Sequence, residues 1–174
     1  RLDVSGFDQI GFGKENKEYQ YAMGYEQFID SLADHFPKER QSLVNYIDKL
    51  KEVANNFPLY NLENSLSTGL ENKYIIESTQ HFLESVTSDK KLQNVLAGTN
   101  LLYAGIPEKT PMFIHALINN SYIESSWRPV GGTQLMADIL ADSIKEMGGK
   151  VRTSAEVNTF IFNNEKISSA QLTN

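Results

Sequence analysis

The side chains best suited to proton transfer or metal ligation near neutral pH are the three histidines, His35, His81 and His115. They lie far apart and bring no second histidine with them, so we assign no metal site. The sequence has no Cys. That excludes a thiolate nucleophile, a disulfide framework and a cysteine-ligated zinc. No Gly-x-Ser-x-Gly elbow occurs, so serine hydrolase chemistry has no foothold. His115 stands out because it falls inside the apolar run Met112 to Ile118, where an imidazole is either hydrogen-bonded in a core or turned toward a ligand. Two glycine clusters invite a nucleotide reading. In Gly11-Phe12-Gly13 the third glycine of a dinucleotide loop would fall at Asn16, and no striped helix starts there, so we read a hairpin turn. Gly131-Gly132 lies directly ahead of a striped helix, where two residues without side chains let backbone approach a flat or anionic group closely.

The rest of the composition narrows the class. The chain has 174 residues, 16 Lys+Arg against 22 Asp+Glu, a net charge of -6, 40% hydrophobic and 10% aromatic residues. The aromatic content argues against disorder. A pI near 5.1 with no basic stripe argues against a nucleic-acid partner. No apolar run approaches the roughly 20 residues needed to cross a bilayer, and the N-terminal residues lack the charged-then-apolar order of a signal peptide. A cytoplasmic location fits this pattern. Because the sequence opens on Arg1 and stops at Asn174, we expect it to be an internal piece of a longer protein.

The elements that must position these residues follow from periodicity. Alternation through Ile10, Phe12, Tyr19, Tyr21 and Met23 predicts a hairpin within residues 1–23. Tyr25, Phe28, Ile29, Leu32 and Phe36 form one helical stripe, and Leu43, Val44, Ile47, Leu50, Ala54 and Phe57 form a longer one between Pro37 and Pro58. A loop is expected over 58–74, then a helix from Ile75 to Val86, and a short one from Asp89 to Ala97 capped by Ser88 and stopped at Gly98. Thr110-Pro111 opens a helix from Met112 to about Tyr122 with almost no polar side, which must be buried or line an apolar cavity. After Gly131-Gly132 and a capping Thr133, the stripe Leu135, Met136, Ile139, Leu140, Ile144 and Met147 ends at Gly148-Gly149. Strand residues follow at Val151 and Thr153, at Val157 to Phe162 and at Ile167 to Leu172, with Asn163-Asn164 as the turn. The class is α+β: a mostly helical domain with a small antiparallel sheet, then a helix, strand and hairpin.

The run WRPVGGTQLMADILADSIKEMGGKVRTSAEVNTF, Trp127 to Phe160, resembles a segment of the phytoene desaturase and retinol saturase family of FAD-dependent oxidoreductases, in which the chain leaves the substrate domain and re-enters the flavin domain. Gly24-Tyr25 with Phe28, Leu32 and Phe36-Pro37, and Leu92 to Leu96 leading to Gly105-Ile106-Pro107, are similar to that family's substrate domain. The resemblance implies a substrate-binding domain over residues 1–126 and part of an FAD-binding domain over 127–174. It implies that Val157 offers backbone N–H and C=O to the adenine of FAD, and that Gly131 and Gly132 admit the isoalloxazine end. It places Trp127 and Arg128 beside flavin or substrate, and makes Met112, Phe113 and Leu117 part of a tunnel wall for a long isoprenoid. The implied chemistry is hydride exchange between flavin and a C–C or C=C bond of a carotenoid- or retinoid-like polyene.

The family's three-glycine strand-turn-helix and its C-terminal flavin segment are absent from these 174 residues. The isolated chain is therefore expected to bind FAD weakly or not at all, to be inactive, and to self-associate through apolar surface that normally packs on missing strands. A long apolar substrate implies peripheral membrane contact for the parent protein. Another flavin oxidase, such as an amine oxidase, shares the glycine-rich helix and valine strand and is the first alternative. A non-catalytic helical module binding an apolar ligand through residues 112–122 is the second.

Overall fold

The computed structural model describes residues 4–13, 17–63, 72–124 and 129–173. The chain separates into two compact units, Arg1–Trp127 and Arg128–Asn174.

The first unit opens with an antiparallel hairpin of β1 (Asp8–Gly11) and β2 (Glu18–Tyr21), with Asp8 opposite Tyr21 and Gly11 opposite Glu18. Alternation sets its buried face: Tyr19 and Tyr21 point into the core while Glu18 and Gln20 are exposed. Helix α1 (Tyr25–Ala33) buries Phe28, Ile29 and Leu32. Gly24 precedes it at φ 99°, a region that favours glycine, and its N–H donates to the Ile123 carbonyl at 2.6 Å. A 3-10 turn, Pro37–Glu39, leads into α2 (Arg40–Asn55), which buries Leu43, Tyr46, Ile47, Leu50, Val53 and Ala54. Tyr46 and Val53 join the expected stripe; Val44 is only half-buried.

The single helix expected from Ile75 to Val86 is two: α3 (Asn72–Ile76) and α4 (Thr79–Val86). Tertiary pairing breaks it, because the Glu77 carbonyl accepts from the Met112 N–H at 2.8 Å and Ser78 forms a β-bridge with Pro111. Ser78 then caps α4 by accepting from the His81 N–H. Helix α5 (Lys90–Leu96) is capped by Asp89, not by Ser88. The Asp89 carboxylate accepts from the Lys91 and Leu92 N–H groups at 2.8 and 3.0 Å. A 3-10 segment, Gly98–Tyr103, follows where no element was expected. Helix α6 (Met112–Glu124) crosses the unit and packs on α1, α2, α3 and α4.

Aromatic rings run through this core. Tyr21 meets Phe28 edge-on at 4.9 Å between centroids, Phe28 stacks on Tyr46 at 6.2 Å, and Tyr46 stacks on Phe82 at 5.8 Å. Each fully buried ring or leucine contributes about 1.5–3 kcal/mol. Tyr21 also ties the hairpin to α5, donating its hydroxyl proton to the Val95 carbonyl at 2.6 Å.

The second unit consists of α7 (Gln134–Glu146) and a hairpin of β3 (Val157–Asn163) and β4 (Lys166–Leu172). The hairpin turn is Asn164-Glu165, one residue later than expected, with both residues at positive φ, 49° and 63°. That suits a two-residue turn matched to strand twist. Val151 and Thr153 form no strand. Thr133 makes no side-chain capping bond; its own backbone is helical. Helix α7 buries none of its residues, and Leu135, Met136, Ile139 and Leu140 stay exposed, as do Phe160, Phe162 and Ile167 of the hairpin.

Candidate functional site

Helix α6 carries the residues of greatest chemical interest in the first unit. Met112, His115, Ala116, Asn119 and Ile123 are all buried and recur at spacings of three and four, so one face of the helix enters the core. That face is not purely apolar. His115 Nε2 is 2.9 Å from the Tyr46 hydroxyl and Nδ1 is 3.0 Å from the Tyr103 hydroxyl. The Tyr103 hydroxyl donates to Asn100 Oδ1, the Thr99 hydroxyl donates to Asn119 Oδ1 at 3.0 Å, and Asn119 Nδ2 donates to the His115 carbonyl at 2.9 Å.

Asn119 Nδ2, a donor, also lies 3.3 Å from His115 Nδ1, so Nδ1 has both a hydroxyl and an amide beside it and Nε2 has the Tyr46 hydroxyl. Burial disfavours the imidazolium and lowers the His115 pKa from 6.5 to about 3. Burial likewise raises the hydroxyl pKa values of Tyr46 and Tyr103. The ensemble is therefore a neutral hydrogen-bonded network at physiological pH, and His115 is a core histidine. Spacing signals part of this, since Asn119 follows His115 by one turn; the tyrosines that complete it come from other elements. His81 lies on the surface, where Nδ1 is 3.3 Å from Glu77 Oε1 one turn away, a pairing the sequence reading passed over.

The residues expected to face a substrate divide. Met112 is enclosed in the core; Phe113 and Leu117 are partly buried and pack against it, with Phe113 edge-on to Phe57 at 6.5 Å. Trp127 and Arg128 lie outside the described residues.

The residues expected to face a cofactor are in the second unit. Gly131 and Gly132 adopt φ 91° and 94°, conformations that other L-residues rarely take. A Cβ built on either would meet no atom within 4 Å, so their backbone faces open space. The Gly132 N–H turns back to the Pro129 carbonyl at 3.2 Å, and α7 begins directly afterwards without a side-chain cap. Val157 opens β3 opposite Leu172 and is exposed.

The chain is similar to all-trans-retinol 13,14-reductases. It is 29% identical to the Danio rerio protein over 179 aligned residues, covering 92% of this chain and 29% of that protein. It is 28% identical to the Homo sapiens protein over 160 residues, covering 83% of this chain and 26% of that one. The Rattus norvegicus protein is 26% identical over 162 residues, with the same coverage as the human one. The chain thus spans less than a third of the length of these relatives. No protein-family profile matches it.

Proposed function

We propose that these residues belong to an FAD-dependent oxidoreductase that acts on a C–C or C=C bond of a long apolar polyene of the retinoid or carotenoid kind. The supporting observation is similarity to retinol 13,14-reductases along 92% of the chain. Its second unit also carries two positive-φ glycines with nothing over their Cα atoms.

Those residues fit a flavin nucleotide. A planar ring needs backbone it can approach without a Cβ in the way, and Gly131 and Gly132 provide it. The amides that open α7 have no side-chain cap and remain available to polar or anionic groups. In this reading the Val157 N–H and C=O hold the adenine edge, a role indifferent to the valine side chain. When bound, FAD supplies the two-electron hydride chemistry. The remaining work falls to the protein: holding the apolar chain, excluding water and fixing orientation. The reading assigns the helical first unit to the substrate, which Phe113 and Leu117, partly buried on α6, would contact. Peripheral membrane contact from the cytoplasmic side would serve a substrate of this polarity.

The test uses the full protein encoded around these residues, purified without added cofactor. Release of FAD on denaturation, with loss of the polyene double-bond absorbance of all-trans-retinol under reducing conditions, is the expected result. Absence of both flavin and turnover refutes the proposal. The isolated 174 residues are expected to retain little or no FAD; near-stoichiometric flavin in them refutes that part.

A further inference from the structure

We infer that the first unit binds an amphiphilic anion, a carboxylate on a medium-length alkyl chain, at the hairpin of β1 and β2. Two hollows adjoin there. One, of about 500 Å³, lies between β1 and the 97–107 segment, with Ile10 and Phe12 on one side and Ala97, Leu101 and Pro107 on the other, so its walls are mainly apolar. The second, of about 470 Å³, lies beside Gly11, Phe12, Gly13, Lys17 and Glu18. Gly11 and Phe12 line both. Each volume is inside the range of small-molecule sites, roughly 300–1,000 Å³. A Cβ at Gly98 would stand 2.5 Å from Ile10 Cδ1, so glycine lets β1 approach the 97–107 segment this closely. Leu101 leaves 91% of its surface exposed at the rim of the apolar hollow, area that an alkyl chain would cover.

Cations gather where the hollows adjoin. Lys91 Nζ lies 3.8 Å from the centroid of the Phe12 ring and 5.8 Å from that of Tyr19, and Lys17 Nζ lies 5.2 Å from the Tyr19 centroid. The two rings meet edge-on at 5.9 Å. Their faces thus hold two ammonium groups against the wall that the hollows share, in a chain whose net charge is -6. Among the described residues lining the hollows, Glu18 is the one carboxylate, so the local balance of charge favours an anion. A pure hydrocarbon would use the apolar hollow alone, and a small anion the charged one alone; a carboxylate with an alkyl tail uses both. The site involves neither the flavin-facing glycines nor Phe113 and Leu117 of α6, so it stands apart from the function proposed above.

The test is a nuclear magnetic resonance titration of the 174-residue chain with octanoate, 1-octanol and octylammonium, which share one tail and differ in charge, and with butanoate, which has the same head and a shorter tail. Octanoate is expected to shift the amides of Ile10, Phe12, Lys17 and Gly98 saturably. It should bind about fivefold more tightly than octanol, the effect of one net positive charge a few ångströms from the carboxylate in water, and octylammonium should bind more weakly than either. Butanoate should be at least about tenfold weaker than octanoate, because its tail leaves much of the apolar hollow unfilled. Lys17→Glu should reverse the order of octanoate and octylammonium, and Leu101→Ser should weaken all three octyl probes. Both side chains are exposed, so neither change should move the melting temperature. Octylammonium binding as tightly as octanoate, shifts confined to the exposed row Leu135, Met136, Ile139 and Leu140 of α7, or octanoate affinity untouched by Lys17→Glu would overturn the inference.

Discussion

Protonating His115 should unfold the first unit from within. The imidazole is wholly enclosed, and burial holds its pKa at about 3 against 6.5 for a free histidine. Below pH 6.5 the unfolded chain takes up a proton that the folded chain refuses, so stability is flat above that pH and falls as the pH drops from 6.5 toward 3. Each pH unit inside this window costs about 1.4 kcal/mol, giving roughly 2 kcal/mol between pH 7 and pH 5 and about 5 kcal/mol across the whole span. Carboxylates titrate as well, so the histidine contribution must be isolated by difference.

His115→Gln removes the titrating group. It should cost about 1–3 kcal/mol at pH 7, because the Tyr46 and Tyr103 hydroxyls lose a well-placed partner. The assay is urea unfolding at pH 7 and pH 5 followed by near-ultraviolet tyrosine dichroism. All eight tyrosines lie before Trp127, so the signal reports the first unit alone. Between the two pH values the unsubstituted chain should lose about 2 kcal/mol more than the variant. A double difference under about 0.5 kcal/mol would refute the account of His115 as a neutral core group.

Other changes probe other parts of the molecule. Asp89→Ala removes both hydrogen bonds that cap α5 and should lower stability by about 1 kcal/mol in denaturant titration, whereas Ser88→Ala should change it by less than about 0.5 kcal/mol. If the Ser88 change costs as much as the Asp89 change, the cap is misassigned. Gly132→Val places a β-branched residue at φ 94° and should cost at least about 1 kcal/mol in the second unit, while also reducing FAD retention by the full-length protein. Flavin content unaltered by that change would count against the glycine pair as the ring's neighbour. Finally, the exposed row Leu135, Met136, Ile139 and Leu140 on α7 should drive association of the isolated chain, seen as concentration-dependent sedimentation that Leu140→Glu weakens. A monomer throughout a wide concentration range would contradict this.

Much of the local structure was legible from spacing. The stripe Phe28, Ile29 and Leu32 located α1, the alternation of Tyr19 and Tyr21 located β2, and Gly148 at φ 83° stopped α7 as expected. Local pattern failed where a distant segment took over the backbone. Residues 75–86 have helical character throughout, yet Pro111 and Met112 claim the backbone of Glu77 and Ser78 and divide the helix. The cap of α5 is Asp89, one residue after the expected Ser88, and the Asp89 N–H itself donates to the Thr87 hydroxyl at 3.0 Å. Of the candidate site, the glycine pair is visible in the sequence by residue type and position, and only the folded backbone shows that both residues adopt positive φ.

What the sequence determined alone is what depends on neighbours along the chain: the faces of its helices, the hairpins, the glycines that only a left-handed backbone requires, and the absence of cysteine chemistry. What only tertiary structure decided is which polar groups meet. Tyr46 lies on α2, Asn100 and Tyr103 share one 3-10 segment and His115 lies on α6, and no sequence period relates these three elements. Their meeting turns a histidine that could have served a ligand into a neutral part of the core and leaves one amide donor unpaired. The physical reason is that burial raises the cost of charge and of unmade hydrogen bonds, and burial belongs to the folded chain as a whole.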